Sequence, residues 1–420
     1  MSPRFRLRTA DLPPKTADVV VVGAGVVGCA TAFYATAAGL RTVVLDARPR
    51  PATLTTAAAS GAFRLQFDNP EEMALVREGL ELYESFAERA GLPGYDLGIE
   101  RNGYLFCALD DETAARQRAL VERQRAFGLD DVELLDGAEA RRRYPFLSAG
   151  VRQARFRAAD GFFDQVRLAW GYALAACGGK GVERRAAGRE GRRATATFCF
   201  GQRVTDLLVR GGRAVGVATH DGSVHAPAVV LATGPFLART AALAGVTLDL
   251  RPVRRQKVVM PDVPEVPPDA PMTIDDGSAA HWRPAFGGAF LLWTDPDAEA
   301  SEPSWGVQPA LDFPFRVLDP ASPVSVARLV PFWADVWERG QRWFLQAGQY
   351  EYTPDHRPLI GPLRSLGPDG IWLNGGYSGH GVMASAGGAR RLVDLVVGAD
   401  VATSPFAPDR PMAERAHDVL

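Results

Sequence analysis

Residues 17–46 read ADVVVVGAGVVGCATAFYATAAGLRTVVLD, and no other stretch limits the fold as severely. Val19 to Val22 is an unbroken β-branched run, the pattern of a strand buried on both faces of a parallel sheet. Gly23 to Gly28 then forms a G-x-G-x-x-G. A small-residue helix is expected over 29–38, with Gly39 placed to end it. Residues 41–45 make a second apolar strand, closed by Asp46. Gly23 permits the tight turn out of the first strand, Gly25 lets the backbone approach a pyrophosphate, and Gly28 lets the helix pack closely. The helix N-terminus turns free amides and the positive dipole end toward the phosphates. Asp46 follows at the spacing where an acid accepts from ribose hydroxyls. Strand, glycines, helix, strand and acid in this order predict a dinucleotide site. Arg48 and Arg50 fit a 2′-phosphate or a solvated loop equally well.

At 420 residues the chain has room for two domains or one large mixed one. A formal net charge of -2 gives no reason to expect nucleic acid or an anionic membrane as partner. No apolar run is long enough to span a bilayer. The N-terminal MSPRFRLRTADLPPK lacks the apolar core of a signal peptide, so a cytoplasmic protein is expected. Cys29, Cys107, Cys177 and Cys199 lie far apart with no C-x-x-C, which argues against structural zinc and against a disulfide framework. No metal is expected.

Further along, residues 48–67 read as a loop. A helix is expected to start near Asn69-Pro70-Glu71, and 72–90 carries apolar residues at helical spacing, with Met73, Val76, Leu80, Tyr83 and Phe86 along one face. A polar helix is expected over 111–127, another helix over 166–176, and a glycine- and arginine-rich loop over 178–193. Residues 198–217 alternate as a hairpin turned at Gly211-Gly212. Val229 to Leu231 is another buried strand, ending in Ala232-Thr233-Gly234, where a second loop approaches the same cofactor. From Leu248 the texture changes to proline and aromatics. Six of the eight tryptophans fall between Trp282 and Trp343, which suggests a mostly antiparallel second domain with these rings in the core or along a pocket. The glycine-dense stretch 374–383 opens a last small-residue helix over 384–397, so the chain returns to the cofactor at its C-terminus.

Taken together, VVVVGAGVVG, SGAFRLQF, DGFFDQVRL, VVLATGP, YEYTPDHRPLIG and GYSGHGVM resemble the D-amino-acid oxidase and sarcosine oxidase superfamily of FAD enzymes. The likeness is greatest to the branch of the heterotetrameric sarcosine oxidase beta subunit. It implies an α/β fold: a Rossmann-like FAD-binding domain interleaved with an α+β substrate domain on a mixed or antiparallel sheet. The expected division is 17–95, 152–247 and 346–400 for FAD, 96–151 and 248–345 for substrate, with terminal arms 1–16 and 401–420. The implied FAD contacts are Gly23, Gly25, Val26, Val27 and Gly28, then Asp46, Ala47 and Arg48. Ser60, Gly61 and Arg64 follow, with Thr233 and Gly234. Gly376, Ser378, Gly379, His380, Gly381, Val382 and Met383 complete the set.

The family reaction implied is hydride transfer from a carbon bearing an amine to flavin N5, giving an imine and, with dioxygen, hydrogen peroxide. The likeness carries departures. The cysteine that holds FAD covalently in monomeric sarcosine oxidase is replaced by Gly348, so non-covalent FAD is expected. Two familiar carboxylate anchors fall on Met383 and Tyr350, which leaves the carboxylate to another group, with Arg64 and Arg357 available, or leaves the substrate without one. The oxygen-activating lysine aligns with Arg255, and Lys257 shares that strand face. His380 stands between glycines as a proton acceptor or a structural histidine. Arg255, Lys257, His380 and Tyr350 are therefore the expected catalytic residues. The expected partners are a small amine or amino acid, with a secondary amine or N-substituted amino acid favoured, and dioxygen or another acceptor. A dehydrogenase, a tailoring oxidase of a biosynthetic intermediate and a non-catalytic FAD-binding subunit remain compatible.

Overall fold

Val19–Val22 forms a strand with all four side chains buried, as its composition requires. The computed structural model describes residues 5–178, 194–398 and 404–414. In chain order, its principal strands begin with β1 (Val19–Val22), β2 (Thr42–Asp46), β3 (Tyr104–Ala108), β4 (Glu133–Asp136) and β5 (Gln153–Arg157). Next come β6 (Ala196–Phe200), β7 (Ala228–Leu231), β8 (Arg251–Met260), β9 (Met272–Asp275) and β10 (Ala280–Ala285). The last are β11 (Gly288–Trp293), β12 (Phe344–Tyr352), β13 (Leu359–Pro362) and β14 (Ile371–Gly375). The helices that matter here are α1 (Val26–Ala37), α2 (Pro70–Glu84), α3 (Gln165–Gly178) and α4 (Gly381–Val396).

A six-stranded sheet runs β13-β14-β7-β1-β2-β6. All its pairings are parallel except β13 with β14. Its strands come from three separate stretches of chain. An eight-stranded sheet runs β12-β8-β11-β10-β9-β3-β5-β4, antiparallel apart from β9 with β3. This is the mixed α/β architecture expected. Sheet membership departs from the expected division at two strands. β5 and most of β12 fall within the stretches assigned to FAD, yet both hydrogen-bond into the eight-stranded sheet.

The first core lies between the six-stranded sheet and its helices, with Cys29, Phe33, Val76, Tyr172 and Leu392 among its members. The second is centred on Trp282, Trp333, Val258 and Leu291. Those two tryptophans are thus core residues. Helix α2 starts as its sequence dictates: Asn69 caps it by accepting from Glu72 N, and Pro70 follows at the first position. Met73, Val76, Leu80 and Tyr83 are buried, but the helix ends at Ser85 and Phe86 opens a separate turn. The expected hairpin over 198–217 is corrected. Phe198 to Phe200 belongs to β6 of the parallel sheet, and the hairpin pairs 204–210 with 213–219 around Gly211 and Gly212, both at positive φ. Residues 179–193 of the expected loop lie outside the described residues. Residues 55–58, read as loop, form a short helix. Among the described residues, no helix is long and apolar enough to cross a membrane.

Candidate active site

At the C-terminal ends of β1, β2 and β7 the open sheet leaves a crevice, where ligands of doubly wound sheets bind. Gly23 turns out of β1 with φ 105°, and a Cβ there would stand 2.4 Å from the Ala232 carbonyl oxygen. A Cβ on Gly28 would reach within 1.9 Å of the Gly23 carbonyl oxygen, so the start of α1 is pressed onto the turn. At Gly25 the one atom within reach is Thr56 Oγ1 at 3.5 Å, which leaves space above the helix start. Asp46 Oδ2 accepts from Ala24 N at 2.5 Å and Oδ1 from Arg48 N at 2.7 Å. Burial raises its pKa against these two bonds.

A cavity of about 360 Å³ runs from here toward the N-terminus of α4. Of the expected FAD contacts, Gly23, Gly25, Val26, Val27, Asp46, Ala47, Arg48, Thr233 and Gly234 line it at one side. Ser378, Gly379, Gly381 and Val382 line it at the other, together with Tyr350. Sequence reasoning missed Thr55, Thr56, Gln202, Arg203, Phe236, Trp305, Glu351 and Asn374, which also line it. Trp305 stacks on Phe236 with ring centroids 4.0 Å apart, and Arg203 lies 5.1 Å over the indole. No local motif marks these residues, because distant stretches of chain converge here.

At the α4 end, Glu351 Oε1 accepts from Gly376 N at 2.8 Å, while Oε2 is buried with no partner among the described residues. Burial pushes the Glu351 carboxyl up to about 7. Ser378, at φ 50°, has a buried Oγ that is also without a partner among the described residues. Orphaned buried polar atoms call for a ligand or water. Two of them on residues of one cavity, with open space over α1 and a second helix start opposite, fit an elongated dinucleotide.

The remaining expected residues do not line this cavity. Gly61, at φ 73°, packs on the Phe163 carbonyl, and the Ser60 carbonyl accepts from Arg283 Nε at 2.8 Å. Met383 is buried, and its carbonyl accepts from the Tyr83 hydroxyl at 3.2 Å. Arg64 Nη1 donates to Gln66 O at 2.7 Å and Nη2 lies 3.3 Å from His380 Nε2. His380 Nδ1 in turn lies 3.2 Å from Glu72 Oε1. His380 thus joins a buried polar network with Arg64 and Glu72. Arg255 donates to Tyr352 Oη at 3.2 Å and Asp295 O at 3.1 Å. Arg357 pairs with Glu71 at 3.3 Å.

Lys257 lies on β8, opposite Gln346 of β12 and Leu292 of β11. Its Nζ donates to Ala59 O at 2.7 Å, and Ala59 itself lines the cavity. Burial, with Arg283 nearby, lowers its pKa to about 7. Gly348 packs against the short helix 55–58, where a Cβ would come within 2.9 Å of Ala58 Cβ.

A family model described as FAD dependent oxidoreductase (DAO) matches residues 18–395. Glycine oxidase of Pseudomonas aeruginosa is 27% identical over 401 residues, covering 93% of this chain and 98% of that protein. Mitochondrial sarcosine dehydrogenase of Mus musculus is 25% identical over 392 residues, covering 91% of this chain and 40% of its own length. The solved structure of L-proline dehydrogenase from P. horikoshii superposes with a TM-score of 0.77 at 22% identity, covering 94% of this chain and 97% of that one. Glycine oxidase from Geobacillus kaustophilus gives a TM-score of 0.77 at 22% identity, covering 95% and 100%. With the family match spanning both sheets and the whole cavity, the chain belongs to the DAO family of FAD-dependent oxidoreductases.

Proposed function

We propose that the protein oxidises the C–N bond of an amino acid or amine, with a secondary amine or N-substituted amino acid favoured and dioxygen the preferred acceptor. The observation that carries this reading is a shared wall. Strand β12 supplies Gln349, Tyr350 and Glu351 to the cavity and pairs with β8, which bears Lys257. A small substrate lying against the eight-stranded sheet would therefore meet the cofactor directly. Glycine oxidase and sarcosine dehydrogenase among the relatives support the substrate class.

FAD, when bound, supplies the acceptor for a hydride equivalent from the carbon next to nitrogen. The α1 start and the glycine turn would hold its phosphates. Ser378, Glu351 and the α4 start would meet its other end. The chain need not supply a nucleophile, because a neutral amine delivers hydride without one. Lys257 places a cation in a poorly hydrated wall, which favours negative charge developing beside it. Four unpaired cysteines agree with the reducing cytoplasm as its compartment.

Anaerobic addition of sarcosine, proline, glycine, D- and L-amino acids and simple amines to the holoenzyme tests the reading. Bleaching of the flavin absorbance by one class is expected, and admitting air should restore it. FAD that dithionite reduces but no amine bleaches would overturn the assignment. Bleaching that air reverses only slowly would move the protein to the dehydrogenases.

A further inference from the structure

Residues 301–310, between β11 and the short helix Phe313–Leu318, form neither helix nor strand, yet they span the two sheets. Both ends are tied to β8 of the eight-stranded sheet. Ala300 bridges Val253, and Ser301 N donates to Pro252 O at 2.7 Å. At the far end Ala310 N donates to Gln256 Oε1 at 2.8 Å. Gln349 of β12 adds three bonds. Its Nε2 donates to Ser301 Oγ and Glu302 O, both at 2.9 Å, and its Oε1 accepts from Ser304 N at 2.8 Å.

Beyond Ser304 the chain leaves that sheet. The Trp305 ring stacks on Phe236 and lies under Arg203, and Arg48 Nη1 donates to the Trp305 carbonyl at 3.4 Å. Glu302 reaches the same side, pairing with Arg239 at 2.6 Å. Arg48, Arg203, Phe236 and Arg239 follow strands β2, β6 and β7, and all four line the cavity with Trp305. Residues 300–310 thus form a strap, anchored on one sheet, that closes the cavity where Asp46 and Arg48 stand. Its parts are held unequally. The anchors are hydrogen bonds to β8 and to Gln349, which is buried. Trp305 is 37% exposed, and its hold is one stack, one cation–π contact and one long hydrogen bond. At the surface each of these is weak. A Cβ on Gly306 would meet nothing within 4 Å, so the chain has space to pivot next to the ring.

We infer that this strap gates cofactor exchange: FAD enters and leaves the cavity only while Trp305 is lifted from Phe236, and the stack then closes the cavity again. The gate concerns the cofactor of the family and is independent of which substrate is oxidised. A closed strap blocks passage in both directions. The fraction of time it is open therefore multiplies the association and dissociation rates alike and cancels from Kd. A side chain that only touches bound FAD acts mainly on dissociation, and Kd changes with it.

The experiment follows flavin fluorescence in stopped flow, as FAD is mixed with the apoprotein and as it is released from the diluted holoenzyme. Trp305→Ala removes the stack and the ring under Arg203. It should raise both rates by about 10-fold, the worth of one aromatic stack, while Kd stays within about 3-fold of the parent's. Trp305→Phe keeps a smaller ring on Phe236 and should fall between parent and Trp305→Ala in both rates. Denaturant melts follow folding, and if Trp305→Ala does not fold, Trp305→Phe decides on the same criterion. Two rates that rise together at nearly constant Kd support the gate. A change in one rate alone, with Kd moving in proportion, makes Trp305 a contact of FAD and overturns the gate, as do rates equal to the parent's. Neither rate involves substrate, so a protein that bleaches with no amine can still show the gate, and one that oxidises amines can lack it.

Discussion

Lys257 is a lysine whose surroundings oppose its charge. Its ammonium rests on one carbonyl, over one aromatic ring and next to a guanidinium, and its pKa falls to about 7. Below that pH the cation is present beside the cavity; above it the group is neutral. Lys257→Met should slow aerobic reoxidation of the reduced holoenzyme on the order of 100-fold at pH 6, the worth of one preorganised electrostatic group. The effect should fade above about pH 8, where the parent side chain is also neutral. Stopped-flow reoxidation across pH checks this, and an equal loss at every pH would reject it. The same shift acts on stability. Between pH 7 and the ordinary lysine pKa, the unfolded chain binds a proton that the folded chain does not. The folded state therefore gains stability as pH rises through this window, and Lys257→Met should remove that gain in denaturant titrations of the apoprotein. Strand alternation from Arg255 made Lys257 legible in the sequence. Arg283 was not, because HWRPAFGG matches no motif and its bond to Ser60 O depends on where β10 meets Ser60.

At the scale of elements, the strand–turn–helix unit is held by backbone approach. A methyl on Gly28 would stand 1.9 Å from the Gly23 carbonyl oxygen, closer than any small adjustment relieves. Gly28→Ala should cost on the order of 3 kcal/mol of stability and sharply reduce FAD content, measured by denaturant melts and by the ratio of flavin to protein absorbance. A variant with native FAD content and stability would show that α1 can retreat. Gly25→Ala is the contrast, since its Cβ meets only Thr56 Oγ1 at 3.5 Å and points into the space above the helix start. It should fold normally and weaken FAD alone. The glycine spacing announced both positions. It did not announce that Thr56 Oγ1 accepts from Val26 N at 3.1 Å, because that bond joins residues 30 apart.

Across the whole molecule, the cavity is walled by both sheets, and β12 links them. We propose the two-domain division with FAD on the six-stranded sheet and substrate on the eight-stranded one, counting β5 and β12 with the latter. A ligand held by both should stabilise the whole. FAD at about 100 times its Kd adds ~2.7 kcal/mol, so removing it should lower the melting temperature by a few degrees in calorimetry. Since Gly348 offers no thiol, acid precipitation should release all the flavin to the supernatant. Flavin remaining with the precipitate would reveal a covalent link through another residue.

Local chemistry alone determined the parallel strand pair, the glycine turn, the capped helix at Asn69 and the family resemblance, because each depends on residues close in sequence. The periodicity of 72–90 gave the buried face of α2, though not its break at Ser85. Tertiary structure decided what non-local pairing controls. Phe198 to Phe200 joins the parallel sheet because β2 offers it a partner, which strand alternation cannot reveal. His380 sits in a polar network because α2 brings Glu72 within 3.2 Å of it. Trp282 and Trp333 went to a core and Trp305 to the cavity, although all three come from the same proline- and aromatic-rich stretch. Lys257 and Arg283 come to lie over one ring, Phe290, only because β8 and β10 both pair with β11. A charge without a neighbouring acid in sequence says nothing of whether it is solvated or buried; the packing of two sheets settles that.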